Sequence, residues 1–197
     1  MAKERAACVE RQTSETAVSV RLSLDGRGAA RVETGLGFFD HMLTQLAVHG
    51  FFDLDLSARG DLQVDGHHLV EDVGLALGRA LAEALGDKAG INRFGFALVP
   101  MDEALAQVAL DLSGRPYLGW EVKFPQEQMG VFEAALVKEF FRALASAGGV
   151  TLHARATGEN SHHMAEALFK ALGRALDQAT RLDERLSGVP SSKGVLS

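Results

Sequence analysis

From Thr16 to Thr34 the chain reads TAVSVRLSLDGRGAARVET, with Val18, Val20, Leu22 and Leu24 alternating with polar neighbours. A period of two predicts a half-buried strand, and Asp25-Gly26 within the run predicts a turn, so the stretch reads as a β-hairpin. Residues 37–49 then read as a helix and 52–58 as a strand. Val70, Val73, Leu77, Leu81 and Ala84 recur at helical spacing, which predicts a helix over 67–86 that stops at Gly86. Further on, FGFALVPMD, ALAQVALDLSG and YLGWEVKF read as strands. A helix over 131–146, a strand over 150–156 and a helix over 162–180 follow. The closing SGVPSSKGVLS is dense in turn formers and predicts irregular structure.

The order of elements repeats, and so do the residues. At an offset of 95, His67, His68, Glu71, Leu77, Gly78, Arg79, Ala80 and Leu81 are identical to His162, His163, Glu166, Leu172, Gly173, Arg174, Ala175 and Leu176. Upstream the offset becomes 98, and Leu46, Ala47 and Gly50 match Leu144, Ala145 and Gly148. Two copies mark a duplicated half-domain, not a solenoid. Each half reads as ββαβα, residues 1–92 and 93–197, joined in one compact unit. Hairpins followed by helices predict mixed sheets with helices on one face, an α+β class.

Composition narrows the function. Of 197 residues, 47% are apolar, enough for a packed core. The net charge is −6 and no run of Lys or Arg forms a nucleic-acid stripe. No apolar run approaches membrane-spanning length, and MAKERAACVERQTSET lacks the apolar centre of a signal peptide. The single Cys8 makes neither an internal disulfide nor a cysteine-based zinc site, which fits the cytoplasm.

The repeated His-His-x-x-Glu carries the chemistry. Residues i and i+4 share a helix face, so His67 projects with Glu71, and His162 with Glu166. Adjacent residues are about 100° apart on a helix, so the two histidines of a pair do not easily serve one ion and are free to serve different ones. His41 and Glu139 occupy equivalent places before the two motifs, and Asp40 beside His41 reads as a carboxylate that fixes its tautomer. The ligand pool is His41, His67, His68, Glu71, Glu139, His162, His163 and Glu166, eight groups for two ions. Imidazole with carboxylate suits Mn, Fe, Ni or Zn, and an octahedral Mn²⁺ with four protein ligands keeps two positions for substrate. His49 aligns with Ala147 and gains no support as a ligand from the repeat, and His153 reads as structural.

GFFDHML (37–43), DGHHLVEDVG (65–74), RFG (93–95), PMDEAL (100–105), SGRPYL (113–118), GENSHHMAEALFKA (158–171) and SSKGVL (191–196) resemble the imidazoleglycerol-phosphate dehydratase family of histidine biosynthesis. The resemblance spans nearly the whole chain. It implies two similar half-domains with the sheets packed together and helices on the outer faces. It also implies a metal-dependent hydro-lyase with two Mn²⁺ per active site (Zn, Ni or Fe as substitutes) and a homo-oligomer of 24 subunits with active sites between subunits. One departure is Glu139, where some members carry His. Another is Leu69 in place of a frequent Thr.

The substrate so implied is a small phosphate ester, imidazole glycerol phosphate, which loses water to give imidazole acetol phosphate. The proton lost is not next to a carbonyl, so a simple base fails. Metal binding at the ring nitrogens favours the imidazolate, whose electrons expel the adjacent hydroxyl. A phosphate anchor positions the reacting end, and Arg93, Arg115 and Lys193, with Ser191 and Ser192, are the candidates. The resemblance also places Gln45, His49 and Lys170 near substrate, and Glu15 as the acid/base beside the reacting carbons. The competing readings are a metal-bridged assembly protein without catalysis and a zinc hydrolase. The first leaves Arg93, Arg115 and the tail unexplained, and the duplicated four-ligand pattern argues against the second.

Overall fold

The computed structural model describes residues 5–186, 188–194 and 196. The first half runs β1 (Ala6–Gln12), β2 (Thr16–Ser23), β3 (Ala30–Glu33), α1 (Gly37–Gly50), β4 (Asp53–Gly60) and α2 (His67–Leu85). The second runs β5 (Phe94–Met101), β6 (Ala104–Asp111), β7 (Tyr117–Val122), a short β8–β9 ladder (Gln128–Met129, Phe132–Glu133), α3 (Ala135–Gly148), β10 (Thr151–Thr157) and α4 (Ser161–Thr180). The duplication is visible in the topology. One sheet is ordered β1-β2-β4-β3 and the other β5-β6-β10-β7, each with an antiparallel hairpin at one edge and a parallel pair at the other.

The sequence-predicted hairpin at Asp25-Gly26 does not form. β4 inserts between β2 and β3, and the first hairpin is β1–β2. The cause is long-range. The Asp53 carboxylate at the start of β4 accepts the N–H of Arg27 (2.8 Å) and of Ala29 (2.9 Å), so the loop wraps over the end of β4. A Cβ at Gly26 would lie 2.3 Å from the Asp53 nitrogen, so only glycine fits that crossing. The Asp25-Gly26 signal is local and is silent about a strand arriving about thirty residues later.

The α+β class and the duplicated halves are present, but the expected layer order is corrected: the helices lie between the two sheets. Val18, Val20 and Leu22 of β2 and Leu54, Leu56 and Ala58 of β4 are buried beneath α2, and Ala106, Val108, Leu152 and Ala154 are buried beneath α4. The other sheet faces carry exposed Asp55, Ser57 and Arg59 in one case and Phe94, Phe96 and Leu98 in the other. The helices pair across the halves, α2 with α3 and α4 with α1. This explains the repeated Leu-Gly-Arg-Ala-Leu. A Cβ at Gly78 would sit 2.6 Å from the Leu144 carbonyl oxygen, and one at Gly173 would sit 2.5 Å from that of Leu46. The two glycines let the helix backbones touch at equivalent points. Phe140 of α3 meets Phe39 of α1 edge-to-face (5.4 Å between centroids) and stacks on Phe169 of α4 (5.1 Å), a fully buried aromatic core. No helix among the described residues is long and apolar enough to cross a membrane.

Candidate metal centre and substrate site

Each histidine pair occupies the first turn of a helix. The Asn160 side chain caps α4 by accepting the N–H of His162 (2.8 Å) and His163 (3.4 Å), and Asp65 accepts the N–H of His67 (2.7 Å) at the start of α2. The Asn160 cap and the Asp65 bond fix the backbone from which the imidazoles radiate.

His162 and Glu166 share one face of α4, and α1 brings His41 to them. Nε2 of His41 and Nε2 of His162 each lie 3.3 Å from Oε2 of Glu166. The three donor atoms lie within 4.8 Å of one another, a spacing compatible with a single divalent ion. The imidazoles are 42% and 46% exposed, whereas the Glu166 carboxylate below them is 9% exposed. Lys170, one turn on, places Nζ 2.8 Å from the other Glu166 oxygen. Burial pushes the Glu166 carboxyl up, but the hydrogen bonds from Lys170 and His41 outweigh it and the group stays below the usual carboxylate range. Gln45 reaches to 3.5 Å from Nδ1 of His41. His49, one turn further, is held below the ordinary imidazole range by burial and then by the charges of Lys170 and Arg174, which favours its neutral form. Gln45 and Lys170 therefore contact this cluster, and His49 lies within reach of its charges. Asp40 does not serve His41; it accepts the N–H of Thr34 (2.8 Å) and tethers the start of α1.

The second histidine of each pair faces a carboxylate that pattern reading missed as a partner. Nδ1 of His163 lies 2.8 Å from Glu103 in the β5–β6 turn, and Nδ1 of His68 lies 3.0 Å from Asp61 and 3.6 Å from Glu15 in the β1–β2 turn. The carboxylate raises each imidazole above its ordinary value, His163 through Glu103 and His68 through Asp61, and His163 in turn draws Glu103 down to about 2. With Nδ1 engaged, Nε2 of each ring is left as the donor for a metal. Glu103 lies inside the quoted PMDEAL, but no spacing rule ties it to a histidine sixty positions later.

Glu71 and Glu139 meet through Arg142, whose guanidinium lies 3.1 Å from Glu71 and 2.6 Å from Glu139. Among the described residues, two clusters gather three metal-binding donors: His41 with His162 and Glu166, and Glu15 with Asp61 and His68. His67, Glu71 and Glu139 do not form a third.

The phosphate-anchor candidates lie at the other end of the second half. Arg93 grips Asp111 with two nitrogens (2.7 and 2.9 Å), donates a third bond to the Pro190 carbonyl (2.9 Å) and gives its backbone N–H to Ala179. Ser191, Ser192 and Lys193 follow Pro190 in an irregular stretch, as predicted, with the Lys193 N–H on the Ser191 hydroxyl (3.2 Å). Arg115 is exposed in the β6–β7 turn. Ala179 is thirteen residues along α4 from Glu166, about 20 Å at about 1.5 Å per residue. One chain thus carries a metal-type cluster at one end of α4 and a basic, hydroxyl-rich corner at the other.

The profile of imidazoleglycerol-phosphate dehydratase matches residues 34–176. The chain is 59% identical to the imidazoleglycerol-phosphate dehydratase of Syntrophobacter fumaroxidans, covering 100% of both sequences. It is 56% identical to that of Moorella thermoacetica, covering 98% of this chain and 99% of the relative. The crystal structure of the Staphylococcus aureus enzyme is similar at a TM-score of 0.82 and 37% identity, covering 90% of this chain and 99% of that one. The Pyrococcus furiosus enzyme, crystallised with (S)-C348, is similar at a TM-score of 0.82 and 40% identity, covering 95% of this chain and 100% of that one.

Proposed function

The chain belongs to the imidazoleglycerol-phosphate dehydratase family, and on that premise we propose that it removes water from imidazole glycerol phosphate to give imidazole acetol phosphate, as a metal-dependent hydro-lyase of histidine biosynthesis. The observation that carries this reading is the convergence of His41, His162 and Glu166 on one point, with Gln45 and Lys170 in contact with it. Nitrogen and carboxylate donors in that spacing suit Mn²⁺, with Zn, Ni or Fe as substitutes. His67, Glu71 and Glu139 would hold a second ion, and His68 and His163 would complete the two sets. When bound, the ions supply Lewis acidity at the nitrogens of the substrate ring.

The chain's own groups do the rest. Glu166 is kept ionised by Lys170, so its oxygen is ready as a ligand. Glu15, exposed in its turn beside His68, is the acid/base that exchanges protons with the reacting carbons. Arg115, Lys193, Ser191 and Ser192 hold the phosphate, and Arg93 fixes the tail that bears three of them. About 20 Å is too far for one small substrate to bridge the cluster and this corner of the same chain, which supports active sites completed between subunits of a homo-oligomer. The 24-subunit assembly and a cytoplasmic setting, consistent with the free and exposed Cys8, belong to the same proposal.

The test is turnover of imidazole glycerol phosphate by protein stripped with chelator and then reloaded with Mn²⁺. Product formed only after reloading supports the reading. Absence of product in both states contradicts it.

A further inference from the structure

The two halves set out equivalent ligand trios but treat their carboxylates differently. In one trio His162 meets Glu166, its i+4 partner, at 3.3 Å. In the other, Glu71 is placed the same way after His67, yet it has turned to Arg142. The donors also differ: two imidazoles and one carboxylate at His41, His162 and Glu166, against one imidazole and two carboxylates at Glu139, His67 and Glu71. The extra carboxylate is Glu139. Bringing two carboxylates to one point is unfavourable without a cation, and the Arg142 guanidinium bridges both. At the equivalent position of α1 stands Thr44, which carries no charge. Lys170, one turn beyond Glu166 on α4, balances the first trio by pairing with its single carboxylate.

We infer that Arg142 is the built-in counter-cation of the second ion site: it holds Glu71 and Glu139 together without metal, and an entering divalent ion must displace it. This rests on the metal-centre reading above and extends it by ranking the two sites. The first trio fills at lower metal concentration, and the second fills only as the guanidinium swings out, for which its 53% exposure leaves room. Arg142 is thus a residue that sets metal affinity and not a ligand.

The test is titration of the assembled, chelator-stripped protein with Mn²⁺, following the electron paramagnetic resonance signal of the free ion. Wild type, Arg142→Leu and Arg142→Lys are compared, with circular dichroism and assembly size checked, and Arg142→Gln replacing any variant that fails to assemble. The expected result is two classes of site in wild type, with the weaker class tightened by about tenfold or more in Arg142→Leu. Arg142→Lys should stay near wild type. Identical isotherms in all three proteins, or loss of the weaker class in Arg142→Leu, overturn the inference while leaving the metal centre standing. A wild type that takes up no Mn²⁺ overturns both.

Discussion

Glu103 Oε2 lies 2.8 Å from Nδ1 of His163, and its other oxygen accepts the backbone N–H groups of Glu159 and Asn160 at 3.2 and 2.8 Å. One carboxylate thus ties the β5–β6 turn to the loop that launches α4, and orients the ring that follows. Glu103→Gln keeps the shape and removes the charge that makes the imidazole a strong donor. The expected outcome is a loss of Mn²⁺ affinity of about 10- to 100-fold in a calorimetric titration, with fold and assembly retained. Unchanged affinity would show that His163 needs no such support.

Gly78 and Gly173 are where the helix layer closes. Gly78→Ala or Gly173→Ala drives a Cβ to 2.6 or 2.5 Å from a backbone carbonyl oxygen, which no side-chain movement relieves. Each substitution is expected to cost about 1–3 kcal/mol, read as a lower thermal midpoint. Gly37→Ala, with nothing within 4 Å of its Cβ, serves as the control and should unfold near wild type. Equal midpoints for all three would contradict the close helix contact.

Asp53 gives a pH-dependent test of the β2–β3 crossing. The N–H groups of Arg27 and Ala29 hold its carboxyl below the ordinary value of 3.8. A depressed carboxylate contributes stability above its unfolded pKa and loses it as pH falls through the folded one. Asp53→Asn should therefore unfold more easily than wild type at about pH 6, by less than about 1 kcal/mol because solvent screens this carboxylate, with the gap closing as pH falls below 3.8 and through the depressed folded value. Denaturant melts at the two pH values check this, and a gap that widens in acid would refute it.

Much of this was legible in the sequence because helical periodicity and caps are local. The 67–86 reading met a helix at His67–Leu85, and 162–180 met Ser161–Thr180. The duplication was legible because Gly78 and Gly173 must stay glycine wherever helices touch. The layer order was not, since the helix apolar faces read the same whether sheets or helices cover them. Nor was the β2–β3 crossing, because Asp25-Gly26 signals a turn without naming the strand that enters it. At the site, His41, His162 and Glu166 were legible as members of one pool of eight ligands, but their meeting at one point was not, because the repeat does not say which groups of the two copies share an ion. Glu103, Asp61 and Arg142 were not, because a lone charged residue carries no spacing that names its partner. Asp40 shows the converse error, as a neighbour in sequence that serves Thr34 instead of His41.

The proposed active site pairs the His41–His162–Glu166 cluster of one chain with the Arg115–Lys193 corner of another. Co-assembly of two inactive variants, His162→Ala and Lys193→Ala, measures this directly through turnover of imidazole glycerol phosphate. Random mixing leaves about a quarter of the sites with both parts intact, so activity should return to about that fraction of wild type. Mixed assemblies as inactive as either variant alone would mean that each site is built within a single chain, which contradicts a site shared between subunits.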